Sequence, residues 1–121
     1  ITASTAWATL AYRVIAGMLI GALLAAPFGL IDWHAIPAGT RAKRVGGLHG
    51  GSNAVVSLLF LASWWLRTPG EMPRGFALAC SFGGVAVALV AAWLGGELVE
   101  RHAIGVDERA GLDAPSSLEA P

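Results

Sequence analysis

The run Arg44-Val45-Gly46-Gly47-Leu48-His49-Gly50-Gly51-Ser52-Asn53, continuing Ala54-Val55-Val56-Ser57-Leu58-Leu59-Phe60-Leu61-Ala62-Ser63-Trp64-Trp65, decides how the chain folds. It is long and apolar enough to cross a bilayer, which takes about 20 residues of helix. Its first half nevertheless holds four glycines, a histidine and an asparagine, which lipid does not tolerate on an exposed face. At about 100° per residue, His49, Ser52, Asn53, Phe60 and Ser63 share one stripe, with Ser57 on its margin. An unpaired polar group in hydrocarbon costs several kcal/mol, so the stripe must face protein or a cavity. The rest of the chain is expected to pack so as to cover it.

Composition agrees. Of 121 residues, 55% are apolar and 13% charged, against about 25% charged in a soluble domain. Net charge is zero, so no basic excess exists to neutralise the phosphates of a nucleic acid. The single cysteine, Cys80, sits in an apolar run and reads as a buried, inert thiol. There is no CxxC, no haem-attachment motif and no iron–sulfur spacing. The chain starts at Ile1 with no basic leader, so it does not read as opening on a signal peptide.

Outward from the central run, a first span is expected at about 4–33. Ser4 can cap it, Trp7 and Tyr12 suit the interfacial aromatic belt, and Arg13 can snorkel to the boundary. Residues 14–31 carry no charge, which gives about 27 Å of helix at 1.5 Å each. Gly17 and Gly21 form a GxxxG that Ala25 continues, a face for close helix approach, and Pro27 is expected to kink the last third. The connection 32–43 turns at Pro37–Gly39, and Thr40 can cap a short amphipathic run ahead of a second span at 45–66. Pro69-Gly70 and Pro73 make the next connection tight. A third span at 75–99 carries Ser81, Gly84, Ala88, Ala91 and Gly95 at helical spacing. The expected organisation is a transmembrane domain over 1–103 and a polar tail over 104–121, which alone would be disordered. Five basic residues (Arg41, Lys43, Arg44, Arg101, Arg109) lie on the side of the first connection and tail, against Arg13, Arg67 and Arg74 opposite. The positive-inside rule then puts the C-terminus in the cytoplasm.

His34, His49 and His102 all fall toward that side, with Asp32, Glu97 and Glu100 at similar depth. Such a set admits a transition metal, or His49 as an axial haem ligand. The plainer reading is structural. Glu97 and Arg101 stand at i, i+4 as a surface ion pair, and His49 with Asn53 supplies interhelical hydrogen bonds worth about 0.6 kcal/mol each. Asp32, His49, Asn53 and Glu97 are the expected polar network. A bis-histidine haem site needs two inward histidines at matching depth, and only His49 lies within a span. His34 or His102 would serve as the second haem ligand only by folding back; no metal set is assigned, with His49, His102 and His34 as the minority candidates. No nucleophile–base pair, Walker loop or HExxH is present, and the expectation is a non-enzyme.

Two blocks carry a resemblance. The first is Gly29-Leu30-Ile31-Asp32-Trp33 with Ile36-Pro37-Ala38-Gly39-Thr40-Arg41-Ala42-Lys43-Arg44, His49 and Asn53. The second is Trp93-Leu94-Gly95-Gly96-Glu97-Leu98-Val99-Glu100-Arg101-His102-Ala103-Ile104-Gly105-Val106-Asp107. Over about 7–107 the chain resembles a family of small bacterial inner-membrane proteins, a domain of unknown function also fused ahead of Rieske iron–sulfur domains. The resemblance implies a four-helix membrane bundle and a redox neighbourhood. This chain departs from it in lacking the family's usual first helix.

The expectation is therefore an all-α integral membrane bundle of three transmembrane helices in a bacterial inner membrane. It would be a non-catalytic accessory or structural subunit of a larger respiratory or photosynthetic electron-transfer complex. It would touch lipids and other membrane subunits through Gly17, Gly21, Gly46, Gly50, Gly84 and Gly95. No nucleic acid or soluble substrate is expected, and no cofactor of its own, although lipid or pigment from partners can bind. The alternative is an electron-transfer membrane protein in which His49 ligates haem b or lines a quinone site.

Overall fold

The computed structural model describes residues 3–116 and contains three helices: α1 (Ala3–Ala35), α2 (Arg41–Trp65) and α3 (Gly75–Glu100). There is no strand among the described residues. Each helix is long and apolar enough to cross a membrane. At 33 residues α1 extends about 50 Å, well beyond a hydrocarbon core of about 30 Å, so it must tilt or project. It runs unbroken through Pro27, whose missing N–H leaves the Leu23 carbonyl without its helical donor.

The start of α2 corrects the sequence expectation. The short run placed before residue 45 is the first turn of α2 itself, which begins at Arg41. Thr40 is the reason: its backbone is extended and its Oγ1 accepts the Lys43 N–H at 3.1 Å, satisfying a donor that an uncapped helix would expose. Gly39 ahead of it has φ +80°, which only glycine adopts freely.

The small face of α3 covers His49, Phe60 and Ser63 of the polar stripe of α2, whereas Asn53 stays exposed and lines a cleft with Ser57. Along α2 the seam residues are His49, Val56, Phe60 and Ser63; along α3 they are Ala77, Ser81, Gly84, Ala91 and Gly95. The helices run antiparallel, so His49 meets Ala91 and Gly95, Phe60 meets Gly84, and Ser63 meets Ala77 and Ser81. Spacings of three and four on both helices keep one seam in register over their length. Ser63 and Ala77 are fully buried. A Cβ on Gly84 would lie 2.8 Å from the Phe60 ring, so only glycine leaves room for it.

Contacts between α1 and α2 occur near both ends, and among the described residues the α1 backbone does not approach that of α3. At one end Tyr12 stacks on Trp64 with centroids 5.1 Å apart. At the other, the Trp33 indole N–H donates to the Lys43 carbonyl at 3.0 Å, while the Lys43 ammonium donates to the Trp33 carbonyl and sits 3.9 Å above its ring. The Trp33 ring also closes over Gly46, whose Cβ would lie 2.8 Å away. Most large side chains of α1 face outward, Leu23 and Phe28 among them. Such a surface suits lipid, which solvates apolar side chains as well as a protein core does.

Beyond α3, Ala103 takes a left-handed φ of 50°, and the Ile104 N–H reaches back to the Leu98 carbonyl at 2.9 Å. Further on, the Arg109 backbone N–H, and then its guanidinium, hold the Asp107 carboxyl below its usual value. The part of the polar tail at 117–121 lies outside the described residues.

Candidate functional site: a cleft beside His49

Where α1 separates from α2, a half-open cleft of about 980 Å³ lies between the inner half of α1, the glycine-rich half of α2 and the end of α3. Its walls are mostly small: Ala22, Ala25, Ala26 and Gly29 on α1, and Gly47, Gly50, Gly51 and Ala54 on α2. Asp32, Trp33, His49, Asn53 and Ser57 bring the polar side chains.

His49 is fixed from two sides. Nδ1 lies 2.9 Å from the Ala91 carbonyl, which can only accept, so Nδ1 carries the proton. In the neutral ring Nε2 is then an acceptor, and the Asn53 amide N–H donates to it at 3.1 Å. The second Asn53 N–H goes to the His49 carbonyl at 3.0 Å, which fixes the orientation of the amide. Gly95 makes room for the ring, since a Cβ there would meet His49 Cε1 at 3.1 Å. The Ser57 hydroxyl donates to the Asn53 carbonyl at 2.9 Å.

Of the four residues expected as one network, His49 and Asn53 are joined, while Glu97 and Asp32 stand apart from them. Glu97 pairs with Arg101 at 2.9 Å, as its i, i+4 spacing suggests, and has no bond to His49. Asp32 lines the cleft, exposed and with no hydrogen-bond partner for its side chain among the described residues. His34 Nδ1 bonds its own helix at the Leu30 carbonyl, 3.1 Å away, and His102 follows α3 with a buried Nε2 that has no partner. Neither comes to His49, and no group of three possible metal ligands forms among the described residues. A haem iron on His49 would have to displace the Asn53 amide from Nε2, although the Nδ1–H to carbonyl bond is the kind that orients ligating histidines.

The six packing glycines divide. Gly46, Gly84 and Gly95 receive Trp33, Phe60 and His49 within the chain itself. Gly17, Gly21 and Gly50 have nothing within 4 Å, and of these Gly50 opens on the cleft. Gly17 and Gly21 are exposed and do not line the cleft, although Gly21 stands only about 40° around α1 from the cleft residue Ala25.

A second polar cluster, not foreseen from the sequence, ties the far end of the hairpin. Ser63 donates to the Ala77 carbonyl at 2.7 Å, so Ser81 must donate across the 2.7 Å contact to Ser63 Oγ. Arg67 then donates Nε to Ser63 at 3.3 Å and Nη2 to Ser81 at 3.1 Å. Both hydroxyl donors have an acceptor. The signal available was Ser63 on the polar stripe, four residues before Arg67, but its partner depends on hairpin register.

Three apolar helices, a polar seam and a lipid-facing exterior define a membrane protein of three candidate spans. Residues 1–108 match the family model described as predicted membrane protein (DUF2231), a domain of unknown function, and the chain belongs to that family. Neither the curated proteins nor the solved structures give a match.

Proposed function

We propose that this chain is a non-catalytic membrane subunit that packs against other membrane-spanning helices through the outer face of α1. One observation carries the reading. The chain uses Gly46, Gly84 and Gly95 internally, yet leaves Gly17 and Gly21, a GxxxG pair, with nothing within 4 Å on a helix whose one neighbouring helix among the described residues is α2. In a bilayer, helices associate through small-residue contacts of this kind rather than through apolar burial. The proposed setting is a bacterial inner membrane with the C-terminus in the cytoplasm, supported by the five-to-three bias of basic residues. An electron-transfer complex is the proposed assembly, supported by the sequence resemblance described above. The test is extraction in mild detergent: the chain should migrate with another membrane protein, and Gly17→Leu with Gly21→Leu should release it without altering its helix content. Migration as a monomer in the unsubstituted form would overturn the proposal.

The second reading keeps His49 as a cofactor residue, favoured by its Nδ1–H bond to Ala91. A Soret band in the purified protein that vanishes in His49→Ala would establish it over the first.

A further inference from the structure

We infer that the cleft beside His49 binds a small amphiphile whose polar end is a neutral hydroxyl, a long-chain alcohol or phenol. The inference comes from the hydrogen-bond balance of the lining. Every side-chain donor there is already spent. His49 Nδ1–H goes to Ala91, both Asn53 amide hydrogens go to His49, Ser57 O–H goes to the Asn53 carbonyl, and Trp33 Nε1–H goes to Lys43. What remains unfilled is acceptor capacity alone: Asn53 Oδ1, the Ser57 Oγ lone pairs and the Asp32 carboxyl. The lining backbone adds no donor, because its N–H groups serve helical carbonyls and the Ile104 N–H is bound to Leu98.

An occupant that offers only acceptors, such as a ketone, an ether or an anion, would face acceptors across the cleft. One that brings an O–H supplies a donor to one of them. Depth selects hydroxyl over ammonium. Asn53 lies 12 residues into α2, about 18 Å along the helix, where an ion is expensive and a neutral donor is not. The alanine and glycine walls take the apolar body, and a volume of about 980 Å³ is at the upper end of small-ligand sites.

The test uses the full chain in lipid nanodiscs and two probes of nearly equal shape, 4-octyl-2-fluorophenol and its methyl ether, followed by fluorine NMR. The phenol is expected to give a saturable bound signal and to bind about tenfold or more tightly than the ether, as for a lost hydrogen bond to a desolvated acceptor. Gly50→Leu, which enters space with nothing within 4 Å, should keep the helix content and abolish phenol binding. Equal binding of phenol and ether would overturn the inference, as would saturable binding that persists in Gly50→Leu, or no saturable binding of the phenol.

Discussion

Gly84→Ala is expected to destabilise the α2–α3 hairpin, although alanine is the better helix former. The added Cβ would stand 2.8 Å from Phe60 Cε2 and 3.0 Å from Cδ2, closer than carbon atoms pack. The ring sits on the seam, so it can yield only by leaving its rotamer or by pushing the helices apart. Overpacking of this kind costs about 1–3 kcal/mol. Relief of glycine's backbone entropy returns about 1 kcal/mol. The net loss is therefore roughly 0–2 kcal/mol, too broad to decide alone. The double-mutant cycle with Phe60→Ala decides it. Without the ring, Gly84→Ala should stabilise by about 1 kcal/mol, so the coupling energy between the sites isolates the steric term at about 1–3 kcal/mol. Reversible unfolding in mixed micelles, titrated with dodecyl sulfate and followed by far-UV circular dichroism, measures all four corners. Gly21→Ala, with nothing within 4 Å, is the control and should show only the gain. Equal stabilisation by Gly84→Ala in both backgrounds would refute the packing described for the seam.

Three further outcomes follow from single residues. Ser63→Ala removes the acceptor shared by Ser81 and Arg67 in a fully buried position, and should cost on the order of 1–3 kcal/mol in the same micelle titration. Ala103→Gly relieves a left-handed backbone and should stabilise by about 1 kcal/mol, seen as a higher thermal midpoint. The turn at Asp107 should be pH-dependent. Its carboxyl titrates below 3.8 when folded, so its contribution is complete above that value and is lost as pH falls through the lower folded one. The Arg109 amide resonance reports it, and Asp107→Asn should remove the titration.

Much of the fold can be read directly from residues. Three spans follow from apolar length, and α3 covers His49, Phe60 and Ser63 of the stripe with the small residues that recur along it, but Asn53, expected to be covered, stays exposed beside the cleft. The His49–Asn53 pair is legible because i, i+4 spacing places both on one turn. Its third member is not, since Ala91 contributes a backbone carbonyl that any residue type carries. The Ser63–Ser81–Arg67 cluster was equally hidden, because it requires knowing which turn of α3 lies opposite Ser63. Asp32 and Glu97 show the opposite failure. Similar depth suggested one network, but depth says nothing about azimuth, and Glu97 turns to Arg101 while Asp32 faces the cleft. The start of α2 lies ahead of the expected span because the run that Thr40 caps is continuous with it.

The measurement that bears most directly on the proposed role is site-specific photocrosslinking in native membranes, with benzoylphenylalanine placed at Gly21 or at Leu23. These positions share α1 but point to different sides of it. A discrete adduct with another membrane protein from Gly21, weak or absent from Leu23 and lost when Gly17→Leu is added, is the predicted result. Adducts with lipid alone from both positions would contradict the account.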